Sequence, residues 1–378
     1  MKRIKVLQVL NFVGGVEVCV RQIIENTDSR LIENIVLSQN IDKKRKVINS
    51  NKQELKHYEL TIQREINILK DLLAIIKMAV IIKKEKPNLI HAHSAKAGVI
   101  ARIAALFFDV NILYTPHAFS FLSTNNYLKR KMFIFIERML RTNRTILLAT
   151  SKSEKDQAIN IIGFSSSKVI VLNNAISPIK TQINGSNKIK HKNYICTIGR
   201  PSYQKNTEML IEVFSLVQKK HNNIHLYIIG AGEYSPNLNN INNLIIQRNL
   251  SDNITILPWV NREEAMAILK CSQLYVSTSR YEGMPYAVIE SLFLKTPCVV
   301  TNCDGNRDLI VQDKTGYLIN DMDQHEMSKK ICILIEDKTK RIEFGENGYR
   351  YYKKNHLLLN YIKNLTNHYK DFSSQRNT

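Results

Sequence analysis

Apolar residues come along this chain in two kinds of block, and the two kinds alternate. Short runs rich in Ile, Val and Leu occupy Ile4–Leu10, Glu33–Ser38, Asn88–Ala92, Asn111–Tyr114, Thr145–Ala149 and Lys168–Leu172. Their length and β-branched content predict buried strands. Between them lie longer segments that read as helices: Val16–Asn26, Ile66–Lys84, Ala95–Phe108, Tyr127–Arg141 and Ser153–Ile162. Pro87 ends the second of these, and Ser153 with Asp156 resembles a helix start. Residues Asp42–Leu60 are polar and irregular. The alternation pauses at Asn173–Lys192, a stretch rich in Asn, Ser, Lys and Ile with one Pro and one Gly, which reads as a linker. It then resumes with strands Tyr194–Ile198, Ile224–Ile229, Ile254–Leu257, Ser272–Ser277, Cys298–Thr301 and Gly316–Ile319. Helices Thr207–His221, Leu238–Asn249, Arg262–Lys270 and one starting near Pro285 separate them. Two such rounds predict an α/β protein of two doubly wound, Rossmann-like parallel sheets. The expected divisions are a domain at 1–175, a linker at 176–192, a second domain at 193–350, and C-terminal helices at 351–378 that pack back on the first domain.

In such sheets ligands bind beyond the carboxyl ends of the strands. The polar and glycine clusters fall there: Gly14-Gly15, His91–Ser94, Pro116-His117, Ser151 and Asn173-Asn174 in the first half, then Gly199-Arg200, Gly230–Gly232, Trp259, Arg280–Gly283 and Asp304-Gly305 in the second. If the two edges face each other, the ligand sits in an interdomain cleft.

A chain of 378 residues exceeds one ordinary core, in keeping with two domains. Lys and Arg outnumber Asp and Glu by 54 to 33, a net charge of +21, so anionic partners are expected. The six cysteines are scattered with no CxxC pair, which argues for a reduced, cytoplasmic compartment and against a zinc ribbon or disulfide framework. The N-terminal MKRIKVLQVLNFVGG has a short apolar part containing Gln8 and reads as a first strand rather than a signal peptide. The longest apolar run, Leu72–Ile82, is broken by Lys77 and too short to span a bilayer.

The densest chemistry lies in Leu274–Gly305, a strand, loop, helix and strand. Glu282 sits in its loop and Glu290 within the helix, seven residues between them. Free N–H groups of Met284, Tyr286 and Ala287 at the helix start could hold a terminal phosphate, while Glu290 could accept two ribose hydroxyls and Glu282 the hydroxyls of a sugar. The bland alternatives are an exposed Glu282 and a Glu290 salt-bridged to an Arg such as Arg200. Gly199-Arg200 with Gln204-Lys205-Asn206 places two cations before a helix, an anion site, or else a solvated basic loop. His117 is either structural or a contact to a reacting sugar. His91 and His93 lack a third ligand nearby, so no metal is expected. Asp321-Met322-Asp323 matches a DxD pattern but falls in a polar surface segment, and Gly230-Ala231-Gly232 is an incomplete dinucleotide fingerprint. Tyr127–Arg144 is a basic amphipathic segment, suited either to an anionic membrane surface or to a core with a solvated face.

Ser279-Arg280-Tyr281-Glu282-Gly283-Met284-Pro285 with Glu290 resembles the E-x7-E signature of retaining glycosyltransferases of family 4, which have the GT-B fold. Gly14-Gly15-Val16-Glu17, His91–Ser94, Thr115–Phe119, Gly199-Arg200 with Gln204–Asn206, and Gly230–Gly232 extend the resemblance over nearly the whole chain. It implies a nucleotide-sugar donor, expected to be a UDP-sugar, held mainly by the second domain, and an acceptor held mainly by the first. By that analogy Arg200 and Lys205 neutralise the diphosphate, Glu290 holds the ribose, and Gly283, Met284, Pro285 and Tyr286 line the donor site. Glu282 contacts the transferred sugar, His117 lies at the reacting face, and Gly14-Gly15 allow close backbone approach. It also implies retention of configuration without a metal or other cofactor. Two departures from the family pattern, Asn174-Ala175 and Asp304-Gly305-Asn306-Arg307-Asp308, bear on donor identity; Asp308 could stand in for the usual Glu.

The expected protein is a cytoplasmic glycosyltransferase, peripheral on the inner membrane face, that extends a lipid-linked acceptor of a capsule, O-antigen or lipooligosaccharide. A sugar-nucleotide epimerase of the same architecture is the alternative enzyme. Charge alone suggests a nucleic-acid-binding protein, but no basic stripe with interleaved aromatics lies on a recognisable nucleic-acid module.

Overall fold

The two rounds of alternating elements fold as two units, Met1–Asn174 joined by Leu358–Thr378, and Ala175–Leu357. The computed structural model describes residues 3–11, 14–39, 46–63, 66–178, 188–232 and 235–374.

In the first unit the strands are β1 (Ile4–Asn11), β2 (Ile32–Gln39), β3 (His57–Glu59), β4 (Leu89–His93), β5 (Asn111–Thr115), β6 (Thr145–Ala149) and β7 (Val169–Val171). They pair in the order β3-β2-β1-β4-β5-β6-β7, each pair parallel. The order reverses between β1 and β4, where Gln8 stands opposite His91. Both faces of these strands are covered, which is why they read as continuous apolar runs. Helices α1 (Gly15–Asn26), α2 (Ile68–Glu85), α3 (Ala95–Ala104), α4 (Tyr127–Met139) and α5 (Lys152–Gln157) connect them. α4 is anchored by Glu137, which accepts from Arg102 Nη2 and from the Tyr114 hydroxyl, both at 2.8 Å.

The second unit repeats the plan. Strands β8 (Tyr194–Ile198), β9 (His225–Ile229), β10 (Ile254–Leu257), β11 (Tyr275–Ser277), β12 (Cys298–Thr301) and β13 (Gly316–Ile319) order as β10-β9-β8-β11-β12-β13, again all parallel. Its helices are α6 (Thr207–Gln218), α7 (Leu238–Gln247), α8 (Arg262–Cys271), α9 (Tyr286–Phe293), α10 (Asn306–Leu309), α11 (Gln324–Glu336) and α12 (Lys338–Asn355). The reversal lies between β8 and β11.

The expected boundaries shift for local reasons. Residues 351–355 complete α12 in the second unit, and the chain changes unit at Leu358. There α13 (Leu358–Ser374) begins, burying Leu358, Leu365 and Tyr369 in the first unit. Residues 179–187 of the expected linker lie outside the described residues, while Ile176 is buried and bridged to Leu357. β3 occurs where an irregular stretch was expected. α5 starts at Lys152, one residue before the expected Ser153, because Ser151 is its cap: the Ser151 hydroxyl accepts from the Glu154 N–H at 3.1 Å. α9 starts at Tyr286; Pro285 stands just outside it with extended backbone (φ −73°, ψ 124°).

Candidate active site

At the reversal point of the second unit, the ends of β8 and β11 carry the loops that hold most of the candidate residues. Lys205 lies over Gly199, where even a methyl group would come 2.9 Å from the Lys205 Cε. Its ammonium meets Glu282 Oε1 at 2.6 Å. The same carboxylate accepts from the Ser279 hydroxyl at 2.7 Å and from Gln204 Nε2 at 3.2 Å. Glu282 is therefore buried (6% exposed), not the solvent-facing loop residue of the bland alternative. The Lys205 loop is fixed from beneath: Thr278 Oγ1 donates to the Lys205 and Asn206 carbonyls, and the Arg280 N–H donates to the Gln204 carbonyl at 2.8 Å. Arg280 also lies over the Tyr203 ring and donates to its carbonyl. Arg200, by contrast, is exposed.

Gly283, Met284 and Pro285 are buried and Tyr286 is half-buried at the start of α9. Gly305 takes a left-handed φ of 79°, and a Cβ there would lie 2.7 Å from the Gly283 carbonyl oxygen, so the two loops touch backbone to backbone. Asp308 caps its own short helix by accepting from the Gly305 N–H at 3.2 Å, which ties its carboxylate to that turn.

One turn into α9, Glu290 is buried and pairs with Arg262, Nε to Oε1 at 2.8 Å. The partner is Arg262 rather than Arg200. Burial raises the Glu290 carboxyl above its usual range, and the Arg262 guanidinium opposes that rise. Arg262 was missed, although a signal existed: a cation in the first turn of a helix opposes the dipole and calls for a tertiary partner. Its Nη2 is buried without a hydrogen bond.

The first unit holds Gly15 and His117. Gly15 is exposed and opens α1, after Gly14 with φ 63°. His117 and Ala118 both have left-handed backbone (φ 53° and 84°), an arrangement uncommon for non-glycine residues. Glu154 holds the turn by accepting from the Ala118 N–H at 2.7 Å and from the Thr150 N–H and hydroxyl. His117 Nε2 stands 3.3 Å from His93 Nδ1. Behind it runs a polar chain through the sheet. The Gln8 amide nitrogen donates to Asn34 Oδ1 and the Tyr369 hydroxyl, and Gln8 Oε1 accepts from His93 Nε2 at 2.9 Å. Tyr369 reaches His91 Nδ1 at 2.8 Å, and His91 Nε2 reaches Thr115 Oγ1 at 3.0 Å. Both His91 nitrogens are thus engaged within the protein. Burial pushes His117 down to about 4 and His91 to about 3, and holds His93 well below its ordinary value. All three rings are neutral at pH 7.

His93 and His117 also gain a third neighbour that was not foreseen, Cys19 of α1. The DxD pattern is accounted for locally, Asp323 capping α11 through the His325 and Glu326 N–H groups. Gln8 was readable as a polar residue inside an apolar strand. Tyr369, 361 positions away, left no comparable trace.

Two parallel sheets, each with polar residues gathered where its strand order reverses, are the architecture of GT-B glycosyltransferases. Solved structures agree: sucrose-phosphate synthase from Thermosynechococcus elongatus superposes with a TM-score of 0.82 at 15% identity, covering 98% of this chain and 99% of that one. Anabaena HepE in complex with UDP and glucose gives 0.80 at 17%, covering 97% and 100%. In sequence, Glycosyltransferase Family 4 matches residues 13–179 and Glycosyl transferases group 1 matches residues 178–351. The Escherichia coli UDP-Gal:alpha-D-GlcNAc-diphosphoundecaprenol alpha-1,3-galactosyltransferase is 29% identical over 70% of this chain and 70% of its own length. The Staphylococcus aureus capsular polysaccharide biosynthesis glycosyltransferase CapM is 27% identical over 80% and 83%. The chain belongs to these glycosyltransferases, family 4 in its first half and group 1 in its second.

Proposed function

We propose that this glycosyltransferase moves a hexose or N-acetylhexosamine from a UDP-sugar to a lipid-linked glycan acceptor, with retention of configuration, in the assembly of a capsule or O-antigen. The observation that carries the reading is the Lys205–Glu282 pair at 2.6 Å over Gly199, a cation and a carboxylate held together at the ligand-binding edge of the second sheet. The E. coli and S. aureus relatives, whose names specify UDP-galactose with a diphosphoundecaprenol acceptor and capsular polysaccharide, support the substrate class. On this reading Lys205 exchanges the Glu282 carboxylate for a donor phosphate oxygen, and Glu282 is released to accept a hydroxyl of the sugar. Arg200 and the backbone N–H groups at the start of α9 share the diphosphate charge, and Glu290 accepts the ribose hydroxyls. The bond from the anomeric carbon to phosphate breaks as the acceptor oxygen bonds on the same face, and the acceptor proton passes to the departing phosphate oxygen. His117 offers a neutral imidazole to the sugar. Diphosphate departure is stabilised by these side chains and N–H groups in place of a metal.

The acceptor class fits a membrane-surface enzyme. Among the described residues no helix is long and apolar enough to cross a membrane. Yet on α4 Leu128, Phe135 and Met139 are 75%, 62% and 66% exposed beside Lys129, Arg130 and Lys131, while Phe133 and Ile134 turn inward. We assign this face to an anionic membrane.

The test is transfer activity of Lys205→Ala and Glu290→Ala. Both are expected to lose at least about 10²-fold in kcat/KM while still melting cooperatively as folded chains, at a Tm lowered by the charged partner each leaves unpaired. Full activity in either would overturn the site, and an isomerised nucleotide sugar in place of a transferred one would indicate an epimerase.

A further inference from the structure

We propose that Cys19, His93 and His117 form a binding site for a thiophilic divalent cation of the zinc class. Among the described residues, one ligand atom from each lies within 4.8 Å of the other two. Two imidazole nitrogens on a tetrahedral Zn2+, each about 2.0–2.1 Å from the metal, stand about 3.3–3.4 Å apart. His93 Nδ1 and His117 Nε2 are 3.3 Å apart, so that edge is already formed.

The surroundings select the ligating atoms. Gln8 is oriented by its donations to Asn34 and Tyr369, so its Oε1 must face His93 Nε2 and accept that nitrogen's proton. The His93 lone pair is thereby placed on Nδ1, toward His117. A carbonyl oxygen on the non-ligating nitrogen is the outer contact that metal-binding histidines ordinarily make. Cys19 is buried on α1, its sulfur 3.6 Å from the Tyr361 hydroxyl, a donor for a thiolate. Binding releases the Cys19 thiol proton to solvent and places the His117 proton on its other nitrogen. Three protein ligands leave a fourth position for water, the pattern of an open rather than a closed zinc site. Thiolate and imidazole donors favour Zn2+ over Mg2+ or Ca2+.

Binding itself is independent of the reaction proposed above. Its consequence rests on that proposal: a cation on His117 Nε2 takes the imidazole from the sugar, so Zn2+ is an inhibitor of transfer.

The full chain, stripped with chelator, is titrated with Co2+ as a spectroscopic substitute for Zn2+. One equivalent is expected to bind with a thiolate-to-cobalt charge-transfer band that Zn2+ then displaces. Cys19→Ser should lose the band, and Gln8→Leu should weaken binding about 10–100-fold. The exposed Cys271→Ser serves as control and should behave as the parent. His117→Asn, tolerated at left-handed φ, should weaken binding even if the Cys19 variant does not fold. No stoichiometric Co2+ binding, or a band that persists in Cys19→Ser, would overturn the site. Inhibition of transfer by Zn2+ and its reversal by chelator test the consequence separately. Binding without inhibition would retain the site and remove the role given to His117.

Discussion

Lys205 and Glu282 meet across 77 positions of sequence, and neither can be understood without the other. The strand-end position of each was legible, because a glycine or charge after an apolar run marks a loop at the carboxyl edge of a parallel sheet. Their pairing was not, because nothing local encodes it. The same holds for Arg262 on Glu290, where only the misplaced charge at a helix start hinted at a partner. Buried histidines allow a sharper prediction. His225 has its ordinary value lowered to about 4, first by burial and then by His191, whose ring stacks on it at 3.6 Å. A base with a depressed folded value adds stability that is present above the unfolded value of 6.5 and is lost as pH falls through about 4. The urea midpoint should therefore drop between pH 7 and pH 4. His225→Gln, which keeps a partner for Thr255 Oγ1, should show a smaller drop over the same range.

Elements were read best where burial is two-sided and worst where it is not. Tyr194–Ile198 and Thr145–Ala149 stand as expected because a central parallel strand must be apolar throughout. β3 has three residues at a sheet edge with two of them exposed, too little apolar pattern to register. Helix ends moved by a residue or two because side chains such as Ser151 decide them. α4 shows both readings of its sequence at once: its inward side closes the core while Leu128, Phe135 and Met139 face out. Phe135→Ser with Met139→Ser should reduce co-flotation with anionic vesicles and leave the thermal melt nearly unchanged, since the lost contacts are with solvent. The inward anchor behaves oppositely. The Arg102–Glu137 pair is buried, with side-chain exposures of 0% and 1%. Glu137→Ala leaves a guanidinium without its counter-ion and should lower unfolding free energy by about 3–5 kcal/mol in a denaturant titration.

For the whole molecule, the doubled α/β pattern was legible because it depends only on the order of apolar blocks. The donor sugar is not legible, since the Asp304–Asp308 loop departs from the family pattern and Asp308 is occupied with Gly305. A panel of nucleotide sugars should resolve it: the true donor at 100 times its Kd adds about 2.7 kcal/mol to stability, seen as a raised Tm, and nucleotide sugars that do not bind leave Tm unchanged. The last helix carries a different consequence. α13 delivers Tyr369 to Gln8 and His91, and Asn111 donates to the Phe372 carbonyl at 2.8 Å. The first unit therefore lacks part of its interior until residues 358–374 have left the ribosome, whereas the second is contiguous from Ala175 to Leu357. Domains generally fold in the order they are made. Here the earlier-made unit is the one that waits, holding an open face of β1 and β4 through the synthesis of its neighbour, so premature chain termination before Tyr369 damages the beginning of the protein rather than its end.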